Sequence, residues 1–409
     1  MTIDKEGFYR DARDDLTGPL EGVKVLELTT TWAGPMAGCL LGDYGADVIK
    51  IEQPEGEIIR RLQPPIPGTN GRSLLNEVVN RNKRNLTLNL RESEGRELAL
   101  KLVALVDIVV ENFRPGTLAS WSLGFEDAKR VNPAIVYVSI SGYGQFGPLS
   151  DRVGYDPLAQ SFSGFLSVNG HPDGEPTKAP TFLGDDFSGI HAALAALAAL
   201  HHRDRTGEGQ HVDVSLVDAM LYSSSGSLAI GALGNPLPRM GNEYSIAAPI
   251  NVYPCLDGHV YAGVLLESHW GRLATLLGRP ELADHPKFNN LSARIENRDE
   301  LNEMMREWCA DKAKQEIEHR FAELGLPAAP VQGYHEAAEH PHVLERDMLQ
   351  EVEVDGEKVK VTGPAAKFSR TPVRVRSRAP RLGEHNEEIL AMLGFTGEDI
   401  AALRGKNVI

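Results

Sequence analysis

The stretch LEGVKVLELTTTWAGPMAGCLLGDYGADVIKIE, residues 20–52, decides the fold. Its first apolar run, Val23 to Leu28, reads as a strand. TTTWAGPMAGCLLGDYG reads as a turn and helix, with Pro35 where a first helical turn accepts it, and ADVIKIE reads as a second strand. Short β-branched strands joined by a helical crossover predict a parallel sheet covered on both faces. The pattern repeats outward through NLTLNL (Asn85 to Leu90), a helix from Gly95 to Val106, DIVVE (Asp107 to Glu111) and AIVYVSI (Ala134 to Ile140). The expected architecture is α/β: an open, doubly wound, Rossmann-like large domain with a smaller α+β domain.

The rest of the chain divides around this domain. Residues 1–19 read as an acidic, weakly ordered leader, and 20–222 as the large domain. Its central stretch GYGQFGPLSDRVGYDP is loop-like, and a strong Ala/Leu helix spans about Phe187 to Arg203. Residues 223–243 read as a glycine-rich linker and 244–331 as the small domain, where Asp257-Gly258 between two apolar runs signals a hairpin. A linker, 332–375, carries a second hairpin signal, EVEVDGEKVKV, and 376–409 returns to the large domain.

Composition excludes several classes of function. With 42 Lys plus Arg against 57 Asp plus Glu, the 409-residue chain carries a formal charge of -15, which argues against a general nucleic-acid binder. The longest apolar run, Ile190 to Leu200, is shorter than the roughly 20 residues of a membrane span. The N-terminus lacks the apolar core of a secretory signal, so a cytoplasmic protein is expected. Cys39, Cys255 and Cys309 are far apart and show no metal-ligand spacing, so neither a disulfide framework nor a metal site is expected.

Few features carry chemistry on their own. From Arg60 to Arg91 there are seven bases (Arg60, Arg61, Arg72, Arg81, Lys83, Arg84 and Arg91) and one acid, Glu77. Such a run suits a polyphosphate ligand, or is a solvated face. The first strand–helix turn lacks GxGxxG, and no P-loop or GxSxG motif is present, which disfavours nicotinamide, nucleotide-hydrolase and serine-hydrolase readings. The doublet Asp185-Asp186 precedes an apolar helix. An N-cap is the ordinary reading of such a doublet, and a catalytic carboxylate the sharper one. His191, His201 and His202 read as decoration of the same helix.

Several segments, in order, resemble the class III CoA-transferase (CaiB/BaiF) family: residues 20–56, NRNKRNLTLNLR, ENFRPG, SISGYGQFGP, GYDPLAQSFSGFLSVNG, LGDDFSGIHAALAALAAL and RTGEGQHVDVSLVDAML. VTGPAAKFSRTP and RLGEHNEEILAMLG extend the resemblance toward the C-terminus. It implies a nucleophilic Asp in a G/A-D-x-x-x-G pattern, here Asp185 with Gly189, and Asp186 as the neighbouring alternative. It implies a transfer of CoA from an acyl-CoA to a small carboxylic acid, through a mixed anhydride and an aspartyl-CoA thioester. CoA and acyl-CoA enter as substrates, with no permanently bound cofactor. CoA-lining positions carry over to Trp32, Ala33, Gln53, Leu88, Asn89, Leu90, Arg91, Asn112, Phe113, Arg114, Ser141, Gly142 and Tyr143. The basic run then serves the nucleotide phosphates. Gln53 stands where some relatives have Arg, and Ser120-Trp121 where relatives carry a second base.

The resemblance also implies an interlocked homodimer, with no nucleic-acid or membrane partner. Racemases of the family pair the Asp with a His in a GHD triplet, a two-base requirement. This chain has Gly154-Tyr155-Asp156, which favours transferase. An acyl-CoA racemase and a non-catalytic CoA-binding protein are the alternatives. Trp32 in place of a Gln, and the lack of a glycine-rich loop before Pro254, argue against oxalate. Local texture such as PLPRMGN is similar to the carnitine CoA-transferase branch, where Trp32, Tyr155 or Tyr253 would face a quaternary ammonium. Carnitine-like and dicarboxylic acids are the acceptor classes left open.

Overall fold

Six parallel strands form the central sheet: β1 (Lys24–Leu28), β2 (Asp47–Glu52), β3 (Lys83–Thr87), β4 (Ile108–Glu111), β5 (Val136–Ser141) and β6 (Gln210–Ser215). Their order is β3-β2-β1-β4-β5-β6. The chain therefore winds outward in both directions from the β1/β4 boundary, where a doubly wound sheet opens a crevice at its carboxyl edge. The computed structural model describes residues 3–409. The sheet lies in a unit comprising the chain through Phe165, Lys178–Gly234 and His342–Ile409.

Period-two alternation supplies both faces of the sheet. Leu26, Leu28, Ile49 and Ile51 pack on one side, against Leu98 and Leu102 of the helix Ser93–Val103 and Ile389 and Leu403 of the C-terminal helices. Val25, Val48, Ile108 and Val110 pack on the other, against α1 (Ala33–Asp43) and the long helix Leu183–Thr206. Order begins before Leu20: a short helix, Lys5–Tyr9, is tied down by a 2.8 Å ion pair from Lys5 to Asp347.

Charges are buried between α1 and the sheet. Glu27 on β1 is fully buried between Lys50 of β2 at 3.0 Å and Lys83 of β3 at 2.7 Å. Lys50 also pairs with Glu57 at 2.9 Å, and Lys83 donates to the carbonyl of Pro35 (2.8 Å) and to Asn80 (2.9 Å). Burial works against the Glu27 charge, and the two ammonium groups outweigh it and hold the carboxyl below the usual range. A Cβ at Gly38 would fall 1.9 Å from Glu27 Oε2, so only glycine lets α1 cross here.

The basic run from Arg60 to Arg91 is neither a phosphate surface nor a solvated face, because intramolecular carboxylates neutralise most of it. Arg60 pairs with Glu52, Arg72 with Glu77, Arg81 with Asp43, Lys83 with Glu27, and Arg84 with Asp47 and Glu388. Arg61 is tied to the Glu55 carbonyl. Within this run, Arg91 alone keeps an exposed guanidinium without a hydrogen bond or ion pair among the described residues. A second difference is local: β3 ends at Thr87 rather than Leu90, because Leu88 N–H makes the last ladder bond, to the Glu52 carbonyl, and Asn89 then donates to the Val408 carbonyl instead.

The other unit, Leu166–Thr177 with Asn235–Pro341, holds an antiparallel sheet of β7 (Ile250–Cys255), β8 (Gly258–Gly263) and β9 (Ala328–Pro330). Its core is built on Tyr253, Trp270, Phe288 and Phe321. In the first unit, β10 (Leu349–Val354) and β11 (Glu357–Thr362) form the second hairpin foreseen in the sequence. Its turn residues Asp355 and Gly356 have φ of 53° and 90°, as a type I′ turn demands. Among the described residues, no helix is long and apolar enough to cross a membrane.

Removing one partner of a buried charge cluster strands the others. Glu27→Gln should therefore cost about 3–5 kcal/mol, read as a lower urea midpoint at unchanged slope; an unchanged midpoint would show the cluster to be dispensable.

Candidate active site

The turn between β1 and α1 lies at the switch point and is over-determined. Thr31 takes a left-handed φ of 67°, and its N–H donates to Glu57 at 2.7 Å, the same Glu57 that pairs with Lys50. Thr30 and Asn112 clasp each other: Thr30 N–H donates to Asn112 Oδ1 and Asn112 Nδ2 to the Thr30 carbonyl, both at 2.8 Å. The turns after β1 and β4 are thereby joined, and α1 begins at Ala33 with its free N–H groups at the crevice.

The helix expected to start near Phe187 starts at Leu183. With a seven-residue lead-in helix, α2 (Asp156–Phe162), it forms the second wall; this long helix is α3 (Leu183–Thr206). Its N-cap residue is Phe182, which offers no side-chain hydrogen bond, so Asp185 sits in the first turn and caps nothing. The capping is done from a distance: buried Asp156 accepts the Gly184 N–H at 2.7 Å and the Gln160 amide at 2.7 Å. Gly189, one turn after Asp185, is where α3 touches α1. A Cβ there would stand 2.8 Å from the Met36 side chain and 2.9 Å from the Ala33 carbonyl. Aspartate and glycine four residues apart share one helix face, so the contact that needs glycine also carries Asp185 to the start of α1.

The two adjacent carboxylates differ in their surroundings. Trp32 Nε1 donates to Asp186 Oδ1 at 2.6 Å, and the indole rests on Phe182 with centroids 5.1 Å apart. Asp185 accepts no side-chain hydrogen bond among the described residues. Burial, then the nearby carboxylates of Asp156 and Asp186, push its pKa up to about 7. Asp186 is also raised, by burial, against the pull of the Trp32 hydrogen bond. Desolvation and like charge thus favour the protonated form of Asp185 relative to a free aspartate.

Two cavities open on the carboxyl edge of the sheet. The smaller, about 230 Å³, is lined by Asp185, Trp32, Ala33 and Tyr155, together with Asn112, Phe113 and Arg114 after β4 and Ser141 and Gly142 after β5. The larger, about 450 Å³, is lined by Gln53 after β2, by Leu88, Asn89, Leu90 and Arg91 after β3, and by Phe113 and Trp121. Thr30 and Phe113 line both. Asp185 and eleven of the other inferred positions thus border one or other cavity in addition to Phe113, while Tyr143 borders neither and packs edge-on against Phe162 at 5.6 Å.

Several of these side chains are already engaged. Gln53 donates to the Gly56 carbonyl at 3.0 Å, Asn112 is spent on Thr30, and Arg114 donates to the Asp151 carbonyl at 2.7 Å. Tyr253 is fully buried in the other unit and its hydroxyl donates to Asn302 at 2.8 Å, so packing excludes it from facing a substrate. The sequence reading missed the supporting roles of Glu57 and Asp156. It also missed Glu111, whose carboxyl is pushed to about 7 by burial while it accepts the Phe113 N–H at 2.8 Å. No local pattern marks such residues, because each acts on an atom contributed by another segment.

The family model for CoA-transferase family III matches residues 20–386. A succinyl-CoA–D-citramalate CoA-transferase of Chloroflexus aurantiacus is 37% identical, the alignment covering 96% of this chain and 98% of that protein. A succinate–glutarate CoA-transferase of Agrobacterium fabrum is 36% identical over 92% of this chain and 96% of its own. The crystal structure of a CaiB/BaiF family protein from Brucella suis superposes with a TM-score of 0.82 at 36% identity, covering 92% of this chain and all of that one.

The raised pKa of Asp185 has a sign in stability. The folded protein holds this proton up to about pH 7, whereas an ordinary aspartate in the unfolded chain releases it at 3.8. Its contribution favours folding below about pH 4 and is lost as pH rises toward 7. Asp185→Asn should therefore gain stability over the parent between pH 4 and 8, seen as a diverging urea midpoint; parallel midpoints across that range would contradict the raised pKa.

Proposed function

The chain belongs to CoA-transferase family III, and on that premise we propose that it moves CoA from a dicarboxylic acyl-CoA of the succinyl type to a free dicarboxylic acid, with Asp185 as the covalent carrier. The observation that supports Asp185 over Asp186 is the hydrogen bonding: Asp186 is tied to Trp32, whereas the Asp185 carboxyl is unengaged and borders the cavity at the switch point. Of the two acceptor classes left open by the sequence, the dicarboxylic one is taken because the relatives named above are transferases of succinyl-CoA or succinate.

In the proposed sequence, an oxygen of ionised Asp185 attacks the thioester carbonyl and the C–S bond breaks, giving a mixed anhydride and CoA thiolate. The thiolate attacks the aspartyl carbonyl and expels the donor acid, leaving an aspartyl-CoA thioester. An acceptor carboxylate then attacks that carbonyl and expels the thiolate, which finally attacks the new acyl group and frees Asp185. No proton or water is consumed overall, and the thiolate, with a reference pKa near 8.5, is a competent leaving group. The unpaired N–H groups at the start of α1, beside Asp185, supply oxyanion donors. Arg91 in the larger cavity is the free cation for a CoA phosphate. Exposed Tyr222, Leu228 and Leu233, with Ile190 and Leu194 on α3, offer apolar surface that a second copy of the chain would cover.

Incubation with succinyl-CoA should add a CoA-sized mass to the peptide containing Asp185. Asp185→Ala should lose the adduct and about 10⁴-fold or more of the transfer rate, and an adduct on Asp186 would reassign the carrier. Light scattering should give a dimer of the 44.6 kDa chain; a monomer at working concentrations would refute the self-association.

A further inference from the structure

The smaller cavity contains a cation that the transfer steps leave unused. Besides Arg114, its lining includes Arg152, from the loop between β5 and α2. The two guanidinium groups differ: Arg114 is moored to the Asp151 carbonyl, whereas the Arg152 side chain has neither hydrogen bond nor ion pair among the described residues. The loop that carries it is pinned at both ends. Gly142 and Gly154 meet backbone to backbone, a Cβ at Gly142 falling 2.4 Å from the Gly154 Cα, and Arg152 N–H donates to the Leu149 carbonyl at 2.9 Å. Arg152 is thus carried to the cavity on pinned backbone, and its exposed guanidinium has no intramolecular partner among the described residues.

Arg152 is also not paired with Asp185. The influences on the Asp185 carboxyl are burial and two other carboxylates, with no cation among them. One cavity therefore holds a nucleophilic carboxylate and, apart from it, an unspent guanidinium fork. A ligand bearing one acyl or carboxyl group at Asp185 and a second carboxylate at its other end satisfies both. A guanidinium binds carboxylate in a planar, two-bonded geometry, and it repels a quaternary ammonium.

We propose that Arg152 is the residue that recognises the distal carboxylate of the acid and of its CoA thioester, and so sets the preference for dicarboxylic over monocarboxylic and cationic substrates. This rests on the CoA-transfer reading above. Arg114 borders the same space but is held to the loop, so it supports the wall and leaves the recognition to Arg152.

The test compares the parent with Arg152→Gln and Arg152→Lys, using succinyl-CoA as donor, glutarate and butyrate as acceptors, and free CoA in a separate binding titration. For an acid that is not turned over, its inhibition constant replaces KM. Arg152→Gln should raise the glutarate constant about ten- to a hundredfold, the range expected for losing hydrogen bonds to a charged group, while the butyrate constant and the Kd for CoA stay within about twofold. Arg152→Lys should recover part of the glutarate loss, because it restores charge without the fork. Equal losses for glutarate and butyrate, or a CoA Kd weakened by the same factor as glutarate, would overturn the proposal; the latter would give the guanidinium to the nucleotide phosphates. A parent that moves CoA to no acid and forms no adduct would overturn the transfer reading itself, a failure visible before any variant is made.

Discussion

A carboxylate with two ammonium partners beneath α1 is the constraint on which the rest of the structure depends. Glu27, Lys50 and Lys83 come from three adjacent strands, so their mutual neutralisation fixes the register of β1, β2 and β3 as well as the depth of the helix above them. Charges out of water leave little tolerance for slippage, since a displaced partner leaves a bare ion. Through Lys50 the cluster reaches Glu57, and through Glu57 it reaches the N–H of Thr31. The left-handed turn that aims α1 at the crevice is thus held from inside the protein.

From that turn the site is assembled by two glycines and two acids. Gly38 sets the distance from α1 to the sheet and Gly189 the distance from α3 to α1. Asp156 takes up an N–H at the start of α3 and Asp186 takes up the Trp32 indole. What is left over, with no partner of its own, is Asp185. The allocation of hydrogen bonds thus sets one carboxylate apart from its two close neighbours, and the proposed carrier role of Asp185 rests on that difference.

The βαβ order, the sheet and both hairpins were legible because they depend on local periodicity and turn residues, as in residues 20–52 and at Asp355-Gly356. The Asp185–Gly189 spacing was legible only through resemblance; its physical meaning, a helix contact, involves Met36 and Ala33 far away in sequence. The basic run misled for a related reason. Its acids, Asp43, Asp47 and Glu52, lie upstream and Glu388 lies near the C-terminus, so a count within the run could not see them. Charge patterning reads only neighbours in the chain, whereas strand pairing brings together residues tens of positions apart. The early start of α3 was hidden likewise, because its capping acid comes from α2.

The crowd of carboxylates around Asp185 affects more than its proton. Acylation turns this side chain from an anion into a neutral derivative, so each covalent form of the proposed cycle is relieved of the repulsion from Asp156 and Asp186 that the free carboxylate bears. In the proposed cycle, this lifts the free-carboxylate end of the reaction coordinate relative to the acylated forms and so flattens it. A carrier that must be loaded and unloaded with equal ease in both directions is served by such a flattened landscape.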